Sequence, residues 1–131
     1  MGLNVLAVAI GGGIGATLRY LVSYWFGIAG ITSNFPWSTF VVNAVGCFAI
    51  GFMSVVFDGP MGKNLGTWRI FAITGMTGGF TTLSTFGLET INLFERGAFG
   101  YAVINFVANI GICFVGILIG RAVGRMVFHA V

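Results

Sequence analysis

Gly75-Met76-Thr77-Gly78-Gly79-Phe80-Thr81-Thr82-Leu83-Ser84-Thr85-Phe86-Gly87 lies inside a stretch, Ile70 to Leu88, that carries no charged residue. The stretch is apolar enough to be a buried helix, yet its centre is a poor one. Glycine weakens the helical ladder through backbone entropy, and hydroxyl side chains weaken it by offering competing hydrogen bonds. The pattern predicts a helix broken near its middle. At bilayer depth such a break frees carbonyls that are tolerated only when buried in protein or bound to water or a cation. The hydroxyls of Thr82, Ser84 and Thr85 stand ready as donors to an anion. A kinked packing helix is the plainer alternative, and the density of hydroxyls argues against it.

The rest of the chain places this stretch in a membrane. Of 131 residues, 57% are hydrophobic and only 7% charged, and the mean hydropathy is +1.01. Soluble domains carry about a quarter of their residues as charges, so this surface faces hydrocarbon. Gly2–Leu18, Tyr20–Phe57 and Gly97–Gly120 are also free of charge. With roughly 20 apolar residues needed to span a bilayer, helices are predicted at roughly 3–26, 38–57, 68–93 and 98–126. Asn34-Phe35-Pro36 and Asp58-Gly59-Pro60 mark turns, and Glu95-Arg96-Gly97 closes the third helix. The connections are too short to hide a soluble domain, so residues 1–131 read as one four-helix transmembrane domain. No basic residue precedes the first apolar run, which therefore reads as a packed span and not a cleavable signal peptide.

The few charges exclude several functions. The formal net charge is +3 and the isoelectric point about 9.3, but six basic residues spread over helix ends form no nucleic-acid patch. No GxxxxGK[ST] run suggests a nucleotide, and no cluster of acid, base and nucleophile suggests an enzyme. Lys63, Arg69, Arg121 and Arg125 fall on the side of the termini, against Arg96 and Arg19 on the other, a small bias toward termini in the cytoplasm that leaves both orientations open. Cys47 and Cys113 lie at bilayer depth without CxxC or His/Cys spacing, and read as small packing side chains. His129 is isolated at the C-terminal end.

The 22 glycines are a packing signal, because in lipid small residues let helix backbones approach closely. Gly11 and Gly15 form one such pair, and Gly116, Gly120 and Gly124 form a longer run. Four short spans enclose too little volume for a spacious pore, which points to an oligomer. Asn105, Asn109 and Cys113 recur at i, i+4 and i+8, and Thr39, Asn43 and Gly46 make a comparable line on the second helix. An amide in hydrocarbon must be paired or wetted, so these lines either bond helices together or border a narrow hydrophilic path. Arg19 is the one charge within the first helix. It is an interfacial anchor beside Tyr20, Tyr24 and Trp25 or a fixed positive charge that draws anions toward a pore mouth.

These residues together resemble the Fluc family of small bacterial fluoride channels. Gly11-Gly12-Gly13-Ile14-Gly15-Ala16-Thr17-Leu18-Arg19-Tyr20 resembles the first-helix signature of the family, and Thr39-Phe40-Val41-Val42-Asn43 the second. Gly78-Gly79-Phe80-Thr81-Thr82-Leu83-Ser84-Thr85-Phe86 resembles the third. The likeness covers nearly the whole chain. It implies an all-α integral membrane protein with its third helix broken near the midplane, paired as an antiparallel, dual-topology homodimer in the cytoplasmic (inner) membrane. It also implies two fluoride pathways along the interface and a structural sodium ion at the centre, held by the backbone carbonyls of Gly78 and Thr81. Pore-lining positions would be Asn43, Leu83, Ser84, Thr85, Phe86, Asn105, Asn109 and Cys113, with Arg19 near a vestibule.

The chain departs from the family pattern where Leu83 replaces a phenylalanine whose electropositive ring edge faces the ion, while Phe86 is kept and Phe80 lies nearby. Cys113 also stands where a hydroxyl is common. The expected activity is passive, selective fluoride flow, with dehydrated fluoride passed among closely placed donors. The rival reading is a small proton-coupled multidrug exporter. It requires a deep titratable group, for which Glu89, toward one end of the third helix and read as capping or facing a vestibule, is the sole acidic candidate in the spans. A non-conducting partner subunit is the third reading, resting on the Leu83 change.

Overall fold

A computed structural model describes residues 1–128, and His129 lies outside them. α1 spans Gly2–Ile28 and α2 Trp37–Asp58, followed by a 3₁₀ turn at Pro60–Gly62. The third span is assembled from pieces: α3 (Gly66–Arg69), a π-helical segment Ile70–Thr77, α4 (Gly78–Phe80) and, after two extended residues, α5 (Leu83–Glu95). α6 runs Phe99–Phe128. α1, α2 and α6 are each long and apolar enough to cross a bilayer, and with the broken third span they make a small, all-helical, multi-pass membrane protein.

The helix ends follow from local chemistry. α1 stops where Gly30 takes φ +67°, and α5 where Gly97 takes φ +75°, a left-handed conformation that glycine adopts without steric cost. At both ends paired reverse hydrogen bonds close the last turn: Ile31 N–H to Phe26 O and Gly30 N–H to Gly27 O, then Ala98 N–H to Leu93 O and Gly97 N–H to Phe94 O.

The break falls one step later than the weakest helix formers. Gly78 and Gly79 remain helical, while Thr81 (ψ 152°) and Thr82 (φ −148°, ψ 112°) are extended. The reason is a better partner. Thr82 N–H, which would otherwise return to Gly78 O, donates instead to Asn43 Oδ1 at 3.0 Å. The Thr82 hydroxyl then accepts from Thr85 N–H at 3.2 Å and so caps the start of α5. Upstream, Thr77 Oγ1 donates to Ala72 O, five residues back, at 2.9 Å, within the wide π turn.

The spans pack as two parallel pairs. α1 lies on the π segment and α4, where a Cβ at Gly11 would meet the backbone of Phe71 and Met76, and one at Gly15 the backbone of Met76 and Phe80. α2 lies on α6, where a Cβ at Gly51 would meet the backbone of Ile117 and one at Gly120 that of Phe48 and Phe52. Backbone-to-backbone contact of this kind is how helices associate where lipid offers no hydrophobic drive.

The interior is accordingly polar and the exterior apolar. Among the described residues, the buried polar set is Thr39, Asn43, Thr77, Thr82, Thr90, Asn105 and Asn109, whereas the buried apolar set is only Phe35, Val42, Val55, Phe86, Leu93 and Ala102. Large apolar side chains such as Leu21, Trp25, Phe114 and Leu118 point outward.

Candidate functional site

Thr82, Asn43, Asn109, Asn105 and Thr90 form one connected chain across three spans. Asn43 of α2 accepts from Thr82 N–H with its amide oxygen, and its amide nitrogen donates to Asn109 Oδ1 at 3.1 Å and to Thr82 O at 3.4 Å. Asn109 Nδ2 donates to Asn105 Oδ1 at 2.7 Å and to Asn105 O at 3.0 Å. Asn105 Nδ2 donates to Thr90 Oγ1 at 2.9 Å, and the Thr90 hydroxyl donates to Phe86 O at 2.8 Å. Both amide protons of Asn43 and Asn109, and one of Asn105, therefore point at other protein atoms. Asn105 is fully buried and Asn109 nearly so. Each of these bonds protects a group whose isolation in a low-dielectric interior would cost about 1–3 kcal/mol.

Hydroxyls lie at the other end of the chain. Thr82 Oγ1 donates to Thr85 Oγ1 at 3.0 Å and lies 3.4 Å from Ser84 Oγ. Because Thr85 Oγ1 accepts that bond, its own proton is left to point elsewhere. Ser84 is exposed on the outer side of the break.

Two cavities flank this polar chain. One, of about 240 Å³, is lined by Ala16, Arg19, Tyr20, Ser23, Thr39, Val42, Thr82 and Thr85. Arg19 thus opens onto the same space as the threonines at the break. The other, of about 180 Å³, is lined by Asn43, Leu83, Phe86, Asn109, Ile110, Cys113 and Phe114. The Asn43–Thr82 bonds join the walls of the two. Phe86 is buried with its ring 6.0 Å from that of Phe106, whereas Leu83 is 80% exposed at the outer mouth of the second cavity.

Thr39 and Glu89 extend the site. The Thr39 hydroxyl donates to Glu89 Oε1 at 2.7 Å, and Glu89 Oε2 is buried with no hydrogen-bond partner. Glu89 also borders a third cavity, of about 200 Å³, with Ser33, Asn34, Asn92 and Arg96. Glu89 thus faces a vestibule-like space. Thr90 was not singled out from sequence; its signal is a hydroxyl one turn beyond Phe86. Gly78 and Thr81 sit at the break rather than in the asparagine chain. The amides four residues beyond them, Thr82 N–H and Thr85 N–H, are taken by Asn43 Oδ1 and Thr82 Oγ1, so both carbonyls lose their helical donors. Gly78 lies on the exposed face and Thr81 is half-buried. Two carbonyls freed at a helix break are oxygen donors of the kind that hard cations favour.

Comparison with known proteins agrees with this architecture. The family model described as "CrcB-like protein, Camphor Resistance (CrcB)" matches residues 6–121. The chain is 40% identical over 127 residues to the "Fluoride-specific ion channel FluC" of Agrobacterium fabrum, covering 96% of this chain and 99% of that one. It is 39% identical over 127 residues to the protein of the same description from Ruminiclostridium cellulolyticum, covering 95% of each. It is 42% identical over 122 residues to "Fluoride-specific ion channel FluC 2" of Nocardia farcinica, covering 92% of this chain and 84% of that one. With a family model matched over most of the chain and near full-length relatives at this identity, the chain belongs to the CrcB/Fluc family.

Proposed function

We propose that this protein is a fluoride-selective channel that lets fluoride leave the cell passively across the cytoplasmic membrane. The observation that carries the reading is the hydroxyl and amide chain from Ser84 and Thr85 through Thr82 and Asn43 to Asn109, flanked by the Arg19 cavity. The near full-length relatives described as fluoride-specific channels support the choice of anion.

In this reading Arg19 raises the local concentration of anions at the vestibule, Thr85 turns its free hydroxyl proton toward the ion, and Ser84 redirects to the ion the proton it otherwise gives to Thr82 Oγ1. Asn43 and Asn109 border the next stage with Cys113, and Phe86 presents a ring edge. Asn105, fully buried, acts by fixing Asn109. Leu83, exposed at the mouth, contributes bulk rather than an electropositive edge. Fluoride is small and strongly hydrated, so closely spaced donors must replace its water, while moderate individual sites let it move on.

The exposed Leu83, Ser84 and Gly78 support pairing with a second, antiparallel copy, with two pores along the interface. A sodium ion at the centre would be held by the carbonyls of Gly78 and Thr81 from each copy, neutralising four inward dipoles and pinning the breaks together.

Anion efflux from liposomes containing only this chain tests the reading. Fast fluoride loss with negligible chloride loss, and no need for a proton gradient, is the expected result. Flux that requires a proton gradient would replace the channel with an exchanger. No flux from a well-folded dimer would point to a non-conducting partner subunit.

A further inference from the structure

The sequence places Cys47 and Cys113 on different helices 66 residues apart, with no ligand spacing between them. The fold brings them together. α2 and α6 run parallel, and Asn43 meets Asn109 across the pair at 3.1 Å. Advancing one turn on each helix, four residues from Asn43 and four from Asn109, arrives at Cys47 and Cys113. The backbones stay close beyond that point, since a Cβ on Gly116 would lie 3.3 Å from the Cβ of Cys47. The register set by the asparagine pair and the contact at Gly116 place the two cysteines on the facing sides of α2 and α6. Both are free and half-buried, and Cys113 opens onto the cavity of about 180 Å³ that it shares with Asn43, Leu83, Phe86 and Asn109.

We propose that Cys47 and Cys113 form a two-thiol site for a soft, thiophilic divalent cation, reached through that cavity. Thiolates select soft metals over hard ones, and ligation requires both thiols to lose their protons. The balanced step is Hg²⁺ + 2 RSH → Hg(SR)₂ + 2 H⁺, with no change of oxidation state. Its product is neutral, which matters at this depth, because a single thiolate or a bare cation there would be an uncompensated buried charge. Hard cations lack this option, since the cavity offers them no carboxylate. The bound ion clamps α2 to α6 one turn beyond the Asn43–Asn109 bond. That position borders the fluoride path proposed above, so the predicted effect on flux rests on that reading, whereas the binding itself does not.

The test uses the purified, reduced, full-length protein in detergent, titrated with mercuric chloride and followed by thiolate-to-mercury absorption in the near ultraviolet and by proton release. The expected end point is one mercury per chain with two protons released. Cys47→Ser and Cys113→Ser should each release one proton, and glutathione should strip their mercury at about a hundredfold lower concentration, because only the wild type has a second thiol at high effective concentration. A wild-type end point of two mercuries per chain, or equal sensitivity of wild type and single variants to glutathione, would overturn the site. The wild-type end point decides the matter even if a variant fails to fold. In liposomes, mercury should slow fluoride efflux by the wild type at least about tenfold and leave the rate of the double serine variant unchanged from its own mercury-free value. Mercury bound as a pair with no fluoride flux under any condition would retain the thiol site and sink the channel reading.

Discussion

Asn43 makes more of the site than any other side chain, because it terminates one half of the broken span and opens the route to the other. Its oxygen takes Thr82 N–H and its nitrogen reaches Asn109. Replacing it with alanine leaves these groups without partners, so Asn43→Ala should lower stability by about 1–3 kcal/mol for each orphaned group. A drop in the thermal midpoint of the purified protein, with fluoride flux lost in parallel, is the expected outcome. Ser84 and Thr85 should behave differently. The Thr85 proton is free and Ser84 gives only a long 3.4 Å bond to Thr82 Oγ1, so Ser84→Ala and Thr85→Val should keep the thermal midpoint within a few degrees. Flux should fall about 10- to 100-fold, the equivalent of one hydrogen bond to an ion. The importance of the asparagines was legible in the sequence because an amide in an apolar helix always needs an account. Which of the two accounts applied was not. The partner of Asn43 is a backbone amide 39 residues away, and no spacing rule reaches across that distance.

Among the elements, glycine position decides what each substitution does. Gly15 sits where a Cβ would collide with the backbone of Met76 and Phe80, and Gly79 where one would meet Gly12. Neither neighbour is a flexible side chain that can move aside. Gly15→Ala and Gly79→Ala should each destabilise by about 1–3 kcal/mol through overpacking. Gly87, in α5, has nothing within 4 Å of a Cβ. Gly87→Ala should be neutral, or stabilising by up to about 1 kcal/mol from helix propensity. Melting of the three variants side by side reads the difference. The lines Gly11/Gly15 and Gly116/Gly120/Gly124 were visible as packing faces from their spacing alone. The π segment was not, because the uncharged run Ile70–Thr77 looks the same whether each turn holds 3.6 residues or more. The exact break was also hidden. Propensity marks Gly78-Gly79 as the weak point, but the choice of Thr81–Thr82 was made by a competing acceptor on another helix.

For the molecule as a whole, the number of spans and their alternation followed from the charge-free runs, since the cost of burying charge is the strongest constraint a bilayer imposes. Pairing of copies is the part that one chain's sequence cannot display through periodicity, because a surface that faces lipid and a surface that faces an identical partner share the same apolar composition. The bias in basic residues, four against two, is small enough that a few added charges should tip insertion. Three lysines appended after the C-terminus should commit the chain to termini-inside. If the working unit is antiparallel, that variant should conduct poorly alone and regain fluoride flux when co-expressed with a chain biased the other way. Full activity of the biased chain by itself would argue for parallel copies or a lone subunit.

The pairing of alternate spans has a further consequence for biosynthesis. α2 packs most extensively against α6, the last span, so its face at Gly51 has no partner when it first enters the bilayer. Ribosomes add about 5–20 residues per second, and α6 does not begin until Phe99, well after α2 ends at Asp58. For a period on the order of seconds, Asn43 therefore waits in the lipid with neither Thr82 nor Asn109 beside it. Nascent chains stalled before α6 should be open to proteolysis and to capture by membrane chaperones, and release of the last span should close that window in a single step.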